Sequence, residues 1–312
     1  MKKYKTLLTI FITAIMVGAG AFFGGVWYSG ARMDEQIKTH NLLAKRIFLS
    51  KPADILVNFE PLRSKLRDDL SYYNGNISLY FEYLPTGTSI RLGDGEQLVG
   101  ASLLKVPAAM ELYSLSEQGK VNLDDKITLK KEWLDSNFGT LYKKGAGYTT
   151  TIRELAKIMI EQSDNTALNA VQSILNAHSN GKTLSAYDAL DVDYTDNART
   201  NLSLSARAYA SFLKCLYFAC YVSTDSSQEI LTYLTHSTYT DEGRLGKYIP
   251  DSVAIAHKIG VAGDEVQPDC GIVYIPNRNY LLCVMVGENK ERGGEVIAQT
   301  SKMVYDYVAG IK

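Results

Sequence analysis

The strands of this chain lie at its two ends and the helices between them, and that order constrains the fold more than any other feature. From Phe59 the spacing becomes periodic. Leu62, Leu66, Leu70 and Tyr73 recur every three or four residues, as on one helix face, with Pro61 tolerated in the first turn. Leu79, Phe81 and Tyr83 then alternate with Ser78, Tyr80 and Glu82, which is strand spacing. Pro85-Thr86-Gly87 makes a turn, and Ser89 to Leu92 a return strand. The middle is helical. Thr151-Ile-Arg-Glu154 has the form of a capping box ahead of Ile152, Leu155, Ala156 and Met159. A second helix follows Asn165 through Leu168, Val171 and Leu175, and a third runs from about Ser205 to Tyr221. Strands return at Ala254 to Lys258, Gly271 to Ile275 and Tyr280 to Val286, the last two joined across Pro276 to Asn279. A final amphipathic helix carries Val296, Ile297, Val304, Tyr307 and Val308. One antiparallel sheet built from both ends, with a helical lobe of about residues 101–225 inserted, satisfies this order. The fold class is α+β, with a cleft between sheet and lobe.

With 46% hydrophobic and 21% charged residues, the chain is ordinary globular material, which excludes disorder, collagen-like repeats and a disulfide-dense miniprotein. The formal charge of −1 hides an asymmetry. Residues 1–32 hold Lys2, Lys3, Lys5 and Arg32 and no acid, a charge of +4. The other 280 residues hold 29 bases against 34 acids, or −5. A mildly acidic body offers no footprint for nucleic acid.

After the first lysines, Leu7 to Tyr28 carries no charge and is long enough to cross a hydrocarbon core of ~30 Å. Residues 1–30 are expected to be a signal-anchor, residues 31–57 a stalk and residues 58–312 the exported body. Ala19-Gly20-Ala21 leaves open a cleaved signal peptide, and either reading exports the body. The four cysteines are Cys215, Cys220, Cys270 and Cys283. In a continuous helix the first two point apart, beyond bridging distance. Cys270 and Cys283 fall in neighbouring strands, where a bridge is possible; buried thiols are the expectation for all four. No cysteine or histidine spacing suggests a metal, and no cofactor is implied.

Three segments carry chemistry. Ser102-Leu-Leu-Lys105 opens an apolar helix, so hydroxyl and amine share one face at a helix start. A buried lysine beside another cation can lose its proton near neutral pH and take the serine's. Taken alone, the pattern is common. Ser163-Asp164-Asn165 lies between two helices; by itself it reads first as a helix cap, with Asp164 or Asn165 capping, and its functional reading is a second hydroxyl relaying a proton beside a substrate-orienting amide. His257-Lys258-Ile259-Gly260 ends a strand. Lys258 reads as an edge charge or as a carboxylate-binding cation. Gly260 allows close backbone approach, and the N–H of Val261 can join that of Ser102 as an oxyanion donor.

The three occur in one order, 61 and then 95 residues apart, at a helix start, an interhelical loop and a strand end. This set resembles the penicillin-recognising serine hydrolases, closest to their class A β-lactamase branch. The resemblance covers about residues 58–312, including Thr151 to Ala156 before Ser163 to Ala167, and Asp269-Cys-Gly-Ile-Val-Tyr-Ile-Pro-Asn277. It implies that Ser102 is the acylated nucleophile, Lys105 its base, Ser163 the relay, Asn165 a substrate-amide contact and Lys258 the carboxylate-binding cation. The implied ligand is a β-lactam or a peptidoglycan stem peptide, and the expected state a monomer.

The chain also departs from that pattern. Class A enzymes deacylate with a glutamate in a Glu-x-x-Leu-Asn loop, yet no glutamate occurs between Asn165 and Ser205. Asp188, Asp191, Asp193 and Asp196 stand there instead, with Asp196 the substitute to consider against a solvated loop face. Ile259 replaces the family's hydroxyl residue, and no arginine follows Lys258 before Arg278. Each loss should cost about 1–3 kcal/mol of anion binding. The expectation is an acyl-enzyme that deacylates slowly. A D-Ala-D-Ala carboxypeptidase or penicillin-binding protein is the alternative, and a non-catalytic sensor the third.

Overall fold

The computed structural model describes residues 2–44, 57–178, 185–196, 202–238 and 244–311. It divides into two units, Met1–Asn41 and Leu42–Lys312. The first is a single helix, α1 (Lys2–Thr39), which continues past residue 30 into the segment read as a stalk. Leu42 and Leu43 are already buried in the second unit, where the Ala44 N–H bonds the carbonyl of Tyr217. That unit therefore begins at Leu42, within the expected stalk. Among the described residues, no helix is long and apolar enough to span a membrane.

In the second unit the two ends of the chain share one sheet. β1 (Ile77–Tyr83) and β2 (Thr88–Leu92) form the N-terminal hairpin; β8 (Ile255–Ile259), β9 (Gln267–Val273) and β10 (Tyr280–Val286) come from the C-terminal end. The order is β2-β1-β10-β9-β8, all neighbours antiparallel, with β1 paired along its whole length to β10. Alternation sorts the side chains into two cores. Phe81, Tyr83, Leu282 and Val284 face α2 (Glu60–Asp69) and α9 (Lys290–Ala309), packing with Leu62, Leu66, Ile297 and Val304. Tyr80, Leu281, Cys283 and Met285 face the helical lobe.

The lobe holds α3 (Lys105–Glu117), α4 (Ile152–Glu161), α5 (Asn165–His178), a single turn α6 (Ala186–Ala189), α7 (Ala206–Phe218) and α8 (Thr224–Thr235). It extends ten residues past the expected boundary at 225, because α8, capped by Ser223, belongs to it. Thr151 caps α4 by accepting from the Glu154 N–H, as its motif requires. Short strands also occur: β3 (Leu98–Val99), β6 (Thr195–Asp196) and β7 (Leu202–Leu204) pair in one small sheet, β4 (Lys126–Thr128) and β5 (Thr149–Thr151) in another.

The expectation of four free thiols is wrong. Cys215 bridges Cys220, and Cys270 bridges Cys283. The first pair was read as lying in a continuous helix, but α7 ends at Phe218. Ala219 adopts a left-handed conformation (φ 50°), turning the chain back until the two Cα atoms are 5.0 Å apart. The second pair sits directly opposite across β9 and β10.

Candidate active site

Ser102 lies in a 3-10 turn, Ala101–Leu104, that feeds directly into α3, whose first residue is Lys105. Ala101 holds φ 46°, a costly conformation for a residue with a Cβ, at the start of the turn that carries Ser102. Three residues on, the buried Lys105 Nζ donates to Ser102 Oγ at 2.9 Å. The same amine reaches the Ser163 carbonyl at 2.6 Å, Asn165 Oδ1 at 2.8 Å and Ser163 Oγ at 3.3 Å.

Ser163 is wholly buried and also left-handed, at φ 53°. Its neighbour Asp164 fixes it there. One Asp164 oxygen caps α5 by accepting from the Ala167 N–H, and the other accepts from the Leu141 N–H. Gly139 makes room for this: a Cβ there would lie 2.1 Å from Asp164 Oδ2. Asp164 is therefore the cap, and its two neighbours, Ser163 and Asn165, accept hydrogen bonds from Lys105.

From the sheet side, Lys258 Nζ donates to Ser163 Oγ at 2.9 Å and to the Ile259 carbonyl at 3.1 Å. One hydroxyl thus lies between two lysine amines. Gly260 packs against the nucleophile's turn: a Cβ there would meet the Gly100 carbonyl oxygen at 2.9 Å and Ala101 Cβ at 3.3 Å. Its N–H is held by the Pro268 carbonyl, and Val261 is the next residue along the chain.

Burial governs the charges. It pushes the Lys105 amine down to about 8, against the pull of the Asp164 and Asp135 carboxylates. Complete burial, with Lys105 and Arg244 nearby, drives Lys258 well below the ordinary lysine range, opposed by Asp269. Arg244 and Asp135 were missed by the sequence reading. Arg244, wholly buried, donates to Gln267 Oε1, and it lies upstream of Lys258, where only downstream arginines were sought. Asp135 carries no motif; it is tied to α5 by its N–H to Thr166 Oγ1.

The structure thus brings Ser102, Lys105, Ser163, Asn165 and Lys258 into one hydrogen-bonded cluster, with Gly260 and Val261 at its edge. It does not bring the loop aspartates there by any described bond. Asp188 Oδ2 accepts from Ser185 Oγ, Asp191 and Asp193 are exposed, and the Asp196 side chain lies outside the described residues.

A family model described as "Beta-lactamase enzyme family" matches residues 61–308. The chain belongs to the beta-lactamase enzyme family. Over 247 residues it is 25% identical to a beta-lactamase of Bacteroides uniformis, spanning 70% of this chain and 82% of that one. Beta-lactamase 3 of Bacillus cereus is 20% identical over 249 residues, covering 75% and 77%. Among solved structures, PBP-A is 26% identical with a TM-score of 0.71, covering 80% of this chain and 97% of that one; a mutant of it has been captured as an acyl-enzyme complex with penicillin G. A beta-lactamase from Chitinophaga pinensis shares the fold at 22% identity, TM-score 0.71, over 79% and 99% of the two chains. Against that family, Ile259 is informative. It is buried, 1% exposed, at the position where the resemblance leads one to expect a hydroxyl.

Proposed function

We propose that Ser102 attacks the carbonyl of a β-lactam or a related amide to form an acyl-enzyme, which water releases slowly. The observation that carries this is the unbroken chain Ser102 Oγ, Lys105 Nζ, Ser163 Oγ, Lys258 Nζ. In the first step neutral Lys105 takes the Ser102 proton as Oγ bonds to the carbonyl carbon. The N–H groups of Ser102 and Val261 would hold the oxyanion. The proton then passes through Ser163 to the leaving nitrogen as the C–N bond breaks, leaving a serine ester and a neutral Lys105. Lys258 offers N–H donors, and the nearby Arg244 positive charge, toward the substrate carboxylate. Asn165, held by Lys105 and clamped through its N–H to the Phe138 carbonyl, supports a contact to the acyl amide.

Slow release rests on the absence of a glutamate between Asn165 and Ser205. That absence, with the likeness to PBP-A, favours one second reading: a D,D-carboxypeptidase or penicillin-binding protein acting on stem peptides. The same reading has the body work outside the cytoplasm. Two disulfides suit an oxidising compartment, and the +4 charge ahead of a charge-free stretch suits export, with the N-terminal segment as anchor. Steady-state and burst kinetics with a chromogenic cephalosporin test the reading. A burst equal to the enzyme followed by slow turnover is expected; fast steady turnover without a burst refutes slow release. Release of D-alanine from a synthetic stem peptide separates the second reading.

A further inference from the structure

On the far edge of the sheet, a cavity of about 320 Å³ lies between the β1–β2 hairpin and α7. It shares no residue with the Ser102 cluster. Its lining is polar by construction. Tyr80 pairs with Arg91 and Glu82 with Ser89 across the hairpin, so all four lie on the face turned toward α7. Arg207, Ser211 and Lys214 are spaced by four and then three residues along α7, one face of that helix. In a body whose formal charge is −5, three cations converge here.

The charges are not used up among themselves. Glu82, with a side chain 3% exposed, is neutralised by Lys214 at 2.7 Å and accepts from the Tyr80 hydroxyl at 2.5 Å. That leaves the two guanidiniums. Asp94 lies 3.6 Å from Arg91 Nη1 and 3.6 Å from Arg207 Nη1, at the limit of an ion pair in each case. One distant carboxylate against two arginines leaves net positive charge at the mouth. Two planar forks from different elements, in a cavity also lined by Ser89 and Ser211, offer donors in more than one plane. A planar carboxylate is satisfied by one fork, whereas a tetrahedral oxyanion uses both.

We propose that this cavity binds a phosphate group, free or esterified to a larger molecule, at a site separate from Ser102. The test is calorimetric titration of the full chain with inorganic phosphate and with glycerol phosphate, at ionic strength held constant with chloride. Saturable binding is expected, weakened by about tenfold or more in Arg91→Gln and in Arg207→Gln and unchanged in Lys65→Gln on α2. Thermal midpoints in chloride establish that the variants fold. Arg207→Lys, which keeps the charge and loses the fork, replaces any glutamine variant that does not, with the same weakening expected. Tighter binding of glycerol phosphate assigns the esterified form, and tighter binding of inorganic phosphate the free ion. Absence of saturable binding to either, or equal binding by the arginine variants and the parent, overturns the proposal.

Discussion

Lys105 must be neutral to accept a proton, and its burial is what brings neutrality within reach. With the amine held at about 8, roughly a tenth of molecules carry the free base at pH 7, and the fraction grows as pH rises. The acylation rate should therefore climb with pH through a midpoint near 8, read from the labelling rate of a fluorescent penicillin. Asp135 holds the ammonium form, so Asp135→Asn should lower the amine's pKa and move that midpoint to lower pH. A midpoint unmoved or moved upward would count against the assigned coupling. Lys105→Met should slow labelling by roughly 10²- to 10⁴-fold, the range of a lost general base. The pairing of Ser102 with Lys105 was legible because three residues span nearly one turn. Asp135 was not, since nothing in its local sequence says that it folds back on α5.

At the scale of elements, two loops carry the site. Gly139 stands at φ 88° with the Asp164 carboxylate where a Cβ would be, so Gly139→Ala should destabilise the protein by on the order of 2–4 kcal/mol in denaturant titration. It should also slow acylation, because Asp164 sets the turn that presents Ser163. Unchanged stability would mean that the loop moves freely away from Asp164. The cross-strand disulfide closes a loop between Cys270 and Cys283, separated by 13 residues, worth about 3 kcal/mol by chain entropy. The double variant Cys270→Ala, Cys283→Ala should lose about that much in the same measurement. The periodic elements were legible where alternation or three-four spacing was strong, as in β1, β10 and α4. α8 was not, because Ile230, Leu231, Tyr233 and Leu234 crowd its second half and leave the first turns polar. The Cys215–Cys220 bridge was illegible for a different reason: the left-handed turn that forms it is held by an alanine, where sequence leads one to look for glycine or asparagine.

Across the whole molecule, the split sheet is what assembles the site. Lys258 arrives on an edge strand from the C-terminal end, Ser163 from the helical lobe, and Ser102 from the turn that joins the first hairpin to that lobe. The order of elements announced this arrangement, and the three motifs announced the five clustered residues, Ser102, Lys105, Ser163, Asn165 and Lys258. Positions that depend on chain reversal outside the motifs, such as Arg244, emerge only in three dimensions. On the proposed reading, acylation draws on the cluster alone, while rapid release calls for a further base, and no glutamate stands between Asn165 and Ser205 to serve as one. Intact-mass spectrometry after exposure to penicillin tests this most directly. One antibiotic mass should add to the parent protein and persist far longer than the time needed to form it, and Ser102→Ala should add none. An unmodified parent that also leaves the penicillin intact, or an adduct that survives in Ser102→Ala, would contradict it.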